Sequence, residues 1–198
     1  MKGILFVLSG PSGTGKGTVC KELLNREKDL FLSVSATTRE CREGEVEGET
    51  YYYVLRDEFE RMIENGQMLE YAIYNGNYYG TPKKAVEDIL NKGRDVLLEI
   101  EPQGALRVKQ LFPEAVLIFL VPPSMAELKN RLLTRGRESE EEILDRIATA
   151  KWELEQADKY TTIIGNDDFD KCVTDVINYL NAKREEKQII TNLINEEI

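Results

Sequence analysis

The sequence predicts an α/β fold: a parallel sheet covered by helices on both faces, with a small second sheet inserted after the second strand. Apolar runs of strand length alternate with longer segments of helical spacing. Those runs are continuously apolar, as strands buried on both faces are. The alternation breaks between about residues 35 and 84, where Gly, Glu and Tyr accumulate and the apolar runs shorten. A chain of 198 residues suits a single domain, since domains run to roughly 100–200 residues.

Ile4–Leu8 reads as the first strand and leads into a glycine-rich turn. Thr18–Lys28 carries Val19, Leu23 and Leu24 at helical spacing, and Phe31–Val34 is the second strand. In the inserted stretch, Tyr51–Val54, Met68–Ile73 and Asn77–Tyr79 read as short strands of an antiparallel or mixed sheet. Asp57 opens a helix there with Phe59, Met62 and Ile63 on one side. Val96–Ile100 is the third core strand, followed by a helix across Gly104–Leu111. Val116–Val121 is the fourth, after which Ser124 caps a helix to about Thr134. Arg135–Glu142, charge-dense and containing Gly136, reads either as a flap or as a solvated connection. Thr161–Ile164 is the last strand and precedes a helix through Val173–Leu180; the segment after Lys187 reads as a frayed helix without assigned function. Crossovers in such a sheet are right-handed, and ligands sit at the carboxyl ends of its strands.

Composition narrows the chemistry. The net charge of −10 argues against binding polymeric nucleic acid, which rests on a basic face. There is no histidine, which excludes Ser-His-Asp and Cys-His nucleophile systems, His-ligated zinc and His general bases. Chemistry must run on Lys, Arg, carboxylates, hydroxyls and backbone. Cys20, Cys41 and Cys172 form no Cys-x-x-Cys pair and read as reduced thiols. The first apolar run is too short for a signal peptide, and Ala115–Val121 falls far below membrane-spanning length. The expectation is a soluble, cytoplasmic protein with no membrane partner.

The run Gly10-Pro11-Ser12-Gly13-Thr14-Gly15-Lys16 follows the first strand and opens a helix, the context a phosphate-binding loop requires. Its glycines let successive N–H groups point at phosphate oxygens, the helix dipole adds attraction, and Lys16 supplies a point charge for the β- and γ-phosphates. An ordinary glycine-rich turn does not explain a lysine directly after the last glycine. The next residue is Gly17, where such loops usually carry the Ser or Thr that ligates Mg²⁺, and Thr18 follows. The Gly-Lys-Gly-Thr ending is similar to adenylate-kinase-type loops. Mg²⁺ is therefore expected to be held mostly by phosphates and water, Thr18 being the neighbouring hydroxyl.

Further along, arginines gather in two places, Arg39 and Arg42 at the start of the insertion and Arg131, Arg135, Arg137 and Arg146 in or beside the flap-like segment. In an acidic chain such clusters suggest anionic ligands, with surface ion pairing as the plain alternative. Together with the phosphate loop, the run Ser33–Arg39 followed by Arg42-x-Gly44-Glu45-x-x-Gly48, then Tyr51, Gly76–Thr81, Pro122-Pro123-Ser124 and Asn166-Asp167-Asp168, resembles the guanylate kinases over about residues 3 to 183.

The resemblance implies a nucleoside monophosphate kinase fold, a three-layer α/β/α core (1–34, 85–134 and 147–187) with a GMP-binding insertion (35–84), a helical lid (135–146) and a tail (188–198). It implies transfer of the γ-phosphoryl of ATP to GMP or dGMP, with Mg²⁺. By position, residues 10 to 18 with Arg131, Arg135 and Asn166 would hold ATP. Arg39, Arg42, Tyr51 and Tyr79 would hold the GMP phosphate, and Ser35, Glu70 and Thr81 would read guanine with Glu99 and Glu101 nearby. Lys16, Arg39, Arg42, Arg135 and Arg146 would be catalytic. Tyr52, Tyr53 and Tyr78 read as structural. The chain departs from the family pattern at Gly17, at Cys41 between the two arginines, and at Glu101, where Asp is usual. Two alternatives stand beside this reading, a related kinase of another small phosphate acceptor and a non-catalytic binding module.

Overall fold

The computed structural model describes residues 1–134 and 140–196. Five strands form an all-parallel sheet: β1 (Leu5–Ser9), β2 (Leu30–Leu32), β7 (Asp95–Glu99), β8 (Val116–Val121) and β9 (Thr162–Gly165), in the order β2-β7-β1-β8-β9. Helices α1 (Lys16–Arg26), α3 (Lys83–Asn91), α4 (Pro102–Leu111), α5 (Met125–Thr134), α6 (Glu140–Leu154) and α7 (Phe169–Asn195) surround it. The second sheet, in the order β4-β3-β6-β5, comprises β3 (Ala36–Thr37), β4 (Tyr52–Tyr53), β5 (Met68–Tyr74) and β6 (Asn77–Pro82), with α2 (Arg56–Glu64) beside it. It is mixed: β3 pairs parallel with β4 and antiparallel with β6.

Strand alternation divides the core. Phe6, Leu8, Leu97, Ile118 and Leu120 point to one face, where Val19, Leu23, Val173 and Val176 of α1 and α7 meet them. Leu5, Val7, Val96, Leu98, Leu117 and Phe119 point to the other, against Val86 and Leu90 of α3 and Ala105 and Val108 of α4. Each such side chain contributes about 1.5–3 kcal/mol by leaving water. Because successive residues serve opposite faces, the strands are apolar throughout, which made them readable. In the second sheet Phe59 of α2 is fully buried with Ala36 and Met68, and it stacks on Tyr78 at 5.0 Å.

Several expectations shift. The helix after the loop begins at Lys16 rather than Thr18, because Gly15, at φ 90° and ψ 18°, already serves as its N-cap. The short strand β3 and helix α3 lay outside the expected elements. The last helix runs 27 residues, absorbing the segment read as frayed. It is anchored there by polar contacts rather than by apolar burial. Arg184 bonds Glu27 at 2.6 Å and Asp95 at 2.7 Å, and Lys187 donates to the Gly3 carbonyl at 3.0 Å. Among the described residues no helix is long and apolar enough to cross a membrane.

Candidate active site

Strand β1 lies between β7 and β8, so the strand order reverses at its carboxyl end, where an open α/β sheet forms its ligand crevice. The glycine-rich loop emerges there. Gly10 has a φ of 146°, and a Cβ on it would lie 2.3 Å from the Leu120 carbonyl oxygen. The loop is tightly self-bonded. The Thr14 hydroxyl donates to the Pro11 carbonyl at 2.8 Å, and the buried Lys16 Nζ donates to the Gly10 carbonyl at 2.7 Å and to Glu101 Oε2 at 3.1 Å. Asn166 Nδ2 donates to the Thr14 carbonyl at 2.6 Å, so β9 braces the loop from its far side.

A cavity of about 530 Å³ opens beside the loop, lined by Gly13, Gly15, Thr18, Arg131, Asn166 and Asp167, with α5 residues Glu127, Asn130 and Thr134 and with Phe169. Arg131 is held there by Glu127 at 2.9 Å and by the Asn166 carbonyl at 3.3 Å. A smaller cavity of about 140 Å³ lies between the two sheets, lined by Leu32, Ser33, Ser35, Thr50, Tyr51, Thr81, Leu98, Glu99 and Ile100. Ser33 Oγ is buried there without a hydrogen-bond partner.

Glu70 attaches to this smaller cavity through Thr81, whose hydroxyl donates to Glu70 Oε1 at 2.7 Å. Burial pushes the Glu70 carboxyl above its ordinary range, with Thr81 and Arg107 pulling it back. Its other oxygen faces Gly104 in the first turn of α4, where a Cβ would come within 2.9 Å of it. Gly104 was missed by sequence reasoning, since a glycine near a helix start carries no signal of what it makes room for.

Glu99 lies between the smaller cavity and the phosphate loop. It lines that cavity, and its Oε1 lies 3.4 Å from where a Gly17 Cβ would stand. Burial and the Glu101 charge raise its pKa, while Lys16 lowers it. Glu101 bonds Lys16 and does not line the smaller cavity. Glu99 and Glu101 do not share a strand, because β7 ends at Glu99 and Glu101 is the N-cap of α4.

The loop at the start of the second sheet closes as a clamp on Arg39. Arg39 donates from NH1 and NH2 to Glu45 at 2.9 and 2.8 Å, a bidentate pair. The Arg42 N–H and the Tyr53 hydroxyl each donate to Glu45 Oε2 at 2.8 Å. These donors hold the Glu45 carboxyl down at about 2, the Arg39 guanidinium foremost. The guanidinium lies 5.4 Å from the Tyr51 ring and 5.9 Å from that of Tyr53, and the Tyr79 ring lies edge-on to Tyr51 at 5.8 Å. Tyr53, read as structural, thus shares the Arg39 side with Tyr51, as residues two apart on an extended chain do. The Arg42 side chain is exposed. Arg146 lies on α6, and Arg135 falls outside the described residues.

A loop wrapping a buried lysine at the switch point of a parallel sheet defines a phosphate-loop nucleotide-binding protein. The second sheet gives it a separate cavity, with the Arg39 clamp beside it. The family model for guanylate kinase matches residues 2–183. Proteins named guanylate kinase are similar to the chain throughout: that of Oceanobacillus iheyensis is 55% identical over 175 residues, 88% of this chain and 85% of that one. The one from Clostridioides difficile is 47% identical over 195 residues, 98% of this chain and 95% of that one. The crystal structure of guanylate kinase from Anaplasma phagocytophilum superposes with a TM-score of 0.71 at 37% identity, covering 92% of this chain and 86% of that one. The chain belongs to the guanylate kinase family.

Proposed function

We propose the following division of labour for the family's reaction in this chain, transfer of the γ-phosphoryl group of ATP to GMP or dGMP to give ADP and GDP or dGDP. ATP occupies the larger cavity with its phosphates in the loop, where the amides of residues 12 to 17 and Lys16 meet them. GMP occupies the smaller cavity, its phosphate on Arg39, Arg42, Tyr51 and Tyr79 and its base on Ser35, Thr81 and Glu70. The observation that carries this reading is Glu99. Its carboxylate touches the smaller cavity while facing Gly17 and Lys16 of the loop, which supports two sites meeting end to end across one side chain.

The acceptor oxygen of GMP is already anionic near neutral pH, so the reaction needs no strong general base and a chain without histidine can perform it. Catalysis is then positioning and charge neutralisation. Lys16, now bonded to backbone and to Glu101, exchanges these partners for phosphate oxygens. Arg135 and Arg146 approach the transferring group as the lid closes and excludes water, which would otherwise accept it.

Oxygen donors suit Mg²⁺; Gly17 brings no hydroxyl, and the Glu99 carboxylate stands 3.4 Å from where its Cβ would be. Glu99 and the Thr18 hydroxyl would hold the ion through water beside the phosphates, and it would supply neutralisation of phosphate charge.

The test is ADP release with Mg-ATP across GMP, dGMP, AMP, CMP and UMP. Turnover with the guanine nucleotides is expected, and ATP left intact in the presence of GMP would overturn the reading. The clamp makes a separate prediction. Glu45→Ala leaves Arg39 without its bidentate partner and is expected to raise KM for GMP about tenfold, the equivalent of one charge-assisted hydrogen bond. The KM for ATP should not change. An unaltered KM for GMP in steady-state assays would show that Glu45 does not position Arg39.

A further inference from the structure

Strand β5 carries Glu70, but the ladder of its sheet does not fix that residue alone. The strand stands at the edge of the second sheet, paired with β6 on one side. Its register shifts between Met68, opposite Pro82, and Glu70, opposite Thr81. Leu69 is therefore the extra residue of a bulge, which interrupts the ladder locally. The bulge divides the strand between two cores. Met68 packs with Phe59 in the second sheet, while Leu69 is buried with Val86, Leu98 and Val108 against the parallel sheet. Glu70 follows at once, so its place depends on contacts from outside the ladder.

One such contact is the Thr81 hydroxyl. The others come from α4, which packs along β5. Gly104 and Arg107 are three residues apart on α4 and so share one face. Gly104 meets the Glu70 carboxylate, where a Cβ would come within 2.9 Å of it. Arg107, one turn further, meets the next residue of the strand. It donates from NH1 to the Tyr71 carbonyl at 2.8 Å, and its guanidinium lies 5.4 Å from the centre of the Tyr71 ring.

We infer that Arg107 is a positioning residue for guanine recognition, tying the bulged stretch of β5 to α4 so that the Glu70 carboxylate stays between Gly104 and the Thr81 hydroxyl. Carbonyl and ring hold Tyr71 at two points, and a single peptide links Tyr71 to Glu70. A guanidinium suits both contacts, because it donates in its plane and lies against an aromatic ring through its face. Without the tie, the carboxylate loses its aim and keeps its charge. GMP then loses most, because its N1–H and N2–H₂ require both carboxylate oxygens in place. Inosine monophosphate (IMP), which keeps the N1–H and lacks the N2 amine, loses less. The larger cavity is lined from the loop, α1, α5 and the start of α7, away from this contact.

The inference rests on Glu70 reading the base, and the experiment separates the two. Arg107 is exposed, so replacing it opens no cavity in the core. Arg107→Met keeps the aliphatic stem and removes the donors, whereas Arg107→Lys keeps a donor for the Tyr71 carbonyl. For both variants, for Glu70→Ala and for the unaltered chain, calorimetry gives the dissociation constants of GMP, IMP and Mg-ATP, and a coupled assay gives kcat. Arg107→Met is expected to weaken GMP by about three- to tenfold, the order of one hydrogen bond. IMP should weaken less, so the preference for GMP over IMP narrows, with Mg-ATP affinity and saturating kcat unchanged. Arg107→Lys should recover most of that preference. A preference left intact in Arg107→Met, a loss shared equally with Mg-ATP, or no recovery in Arg107→Lys would overturn the role of Arg107. A Glu70→Ala variant that keeps the full preference for GMP would instead overturn the base reading.

Discussion

Lys16→Ala is expected to lower turnover by about a hundred- to a thousandfold, the loss typical of removing one preorganised charge or donor from a transfer site, while the protein remains folded. The geometry explains both halves. Lys16 Nζ sits inside the loop at 2.7 Å from the Gly10 carbonyl and 3.1 Å from Glu101, so in the proposed complex it would already stand where phosphate oxygens arrive. Ordering it then requires little reorganisation at the moment of transfer. Stability depends on it far less. Glu101, its ionic partner, is 60% exposed, and water replaces the lysine there. Ion pairs with an exposed partner contribute about 0–1 kcal/mol. The loop keeps its Thr14 hydrogen bond to Pro11 and its brace from Asn166. A coupled assay gives kcat and thermal melting gives the fold. Lys16→Ala with near-normal turnover would remove the lysine from the mechanism, and a collapsed melting transition would show that it holds the loop together.

The phosphate loop was legible because its determinants are local: a strand, a turn needing positive φ, and a lysine at fixed spacing. The core strands were legible because sheets buried on both faces leave continuous apolar runs. Helix α3 carried a readable stripe, Val86 and Leu90 buried between charged residues, but it follows directly on β6 at Pro82 and no turn separates them. Strand β3 is two residues long, and pairing on both sides defines it rather than any pattern of its own. The far end of α7 gave no packing signal, since Ile189, Ile190, Leu193 and Ile194 are all exposed.

Site residues divide along the same line. Arg39 and Arg42 announce themselves as charge in an acidic chain, whereas the Glu45 clamp depends on a loop closing on itself. Arg107 is one arginine among many until α4 lays it against β5. Glu70 resembles a solvated strand residue, and only the family resemblance singled it out. Its burial arises from tertiary contact: β6 brings Thr81 opposite it, and α4 covers it with a glycine.

That enclosure sets the second large expectation. Guanine presents N1–H and N2–H₂ side by side, and a carboxylate accepts from both, each bond to a charged group contributing about 1.5–3 kcal/mol. Glu70→Ala is therefore expected to weaken GMP binding by about a hundredfold or more, with ATP affinity unchanged. Adenine offers no N1–H and would leave the carboxylate facing a lone pair, so the same residue excludes AMP. Because burial raises the Glu70 pKa, GMP affinity should fall as pH drops through that raised value, and Glu70→Gln should flatten this limb. The sign for stability is opposite. A carboxyl with a raised folded pKa favours the folded state below its unfolded pKa and loses that contribution as pH rises through the folded one. Glu70→Gln therefore should not lower the melting temperature at neutral pH. Gly104→Ala offers an independent approach to the same carboxylate, because the added Cβ would lie 2.9 Å from Glu70 Oε2 and displace it without removing its charge. It should raise KM for GMP and leave that for ATP alone. Equal losses for both nucleotides in calorimetric titration of the Glu70 variants would mean that this residue supports the fold and does not read the base.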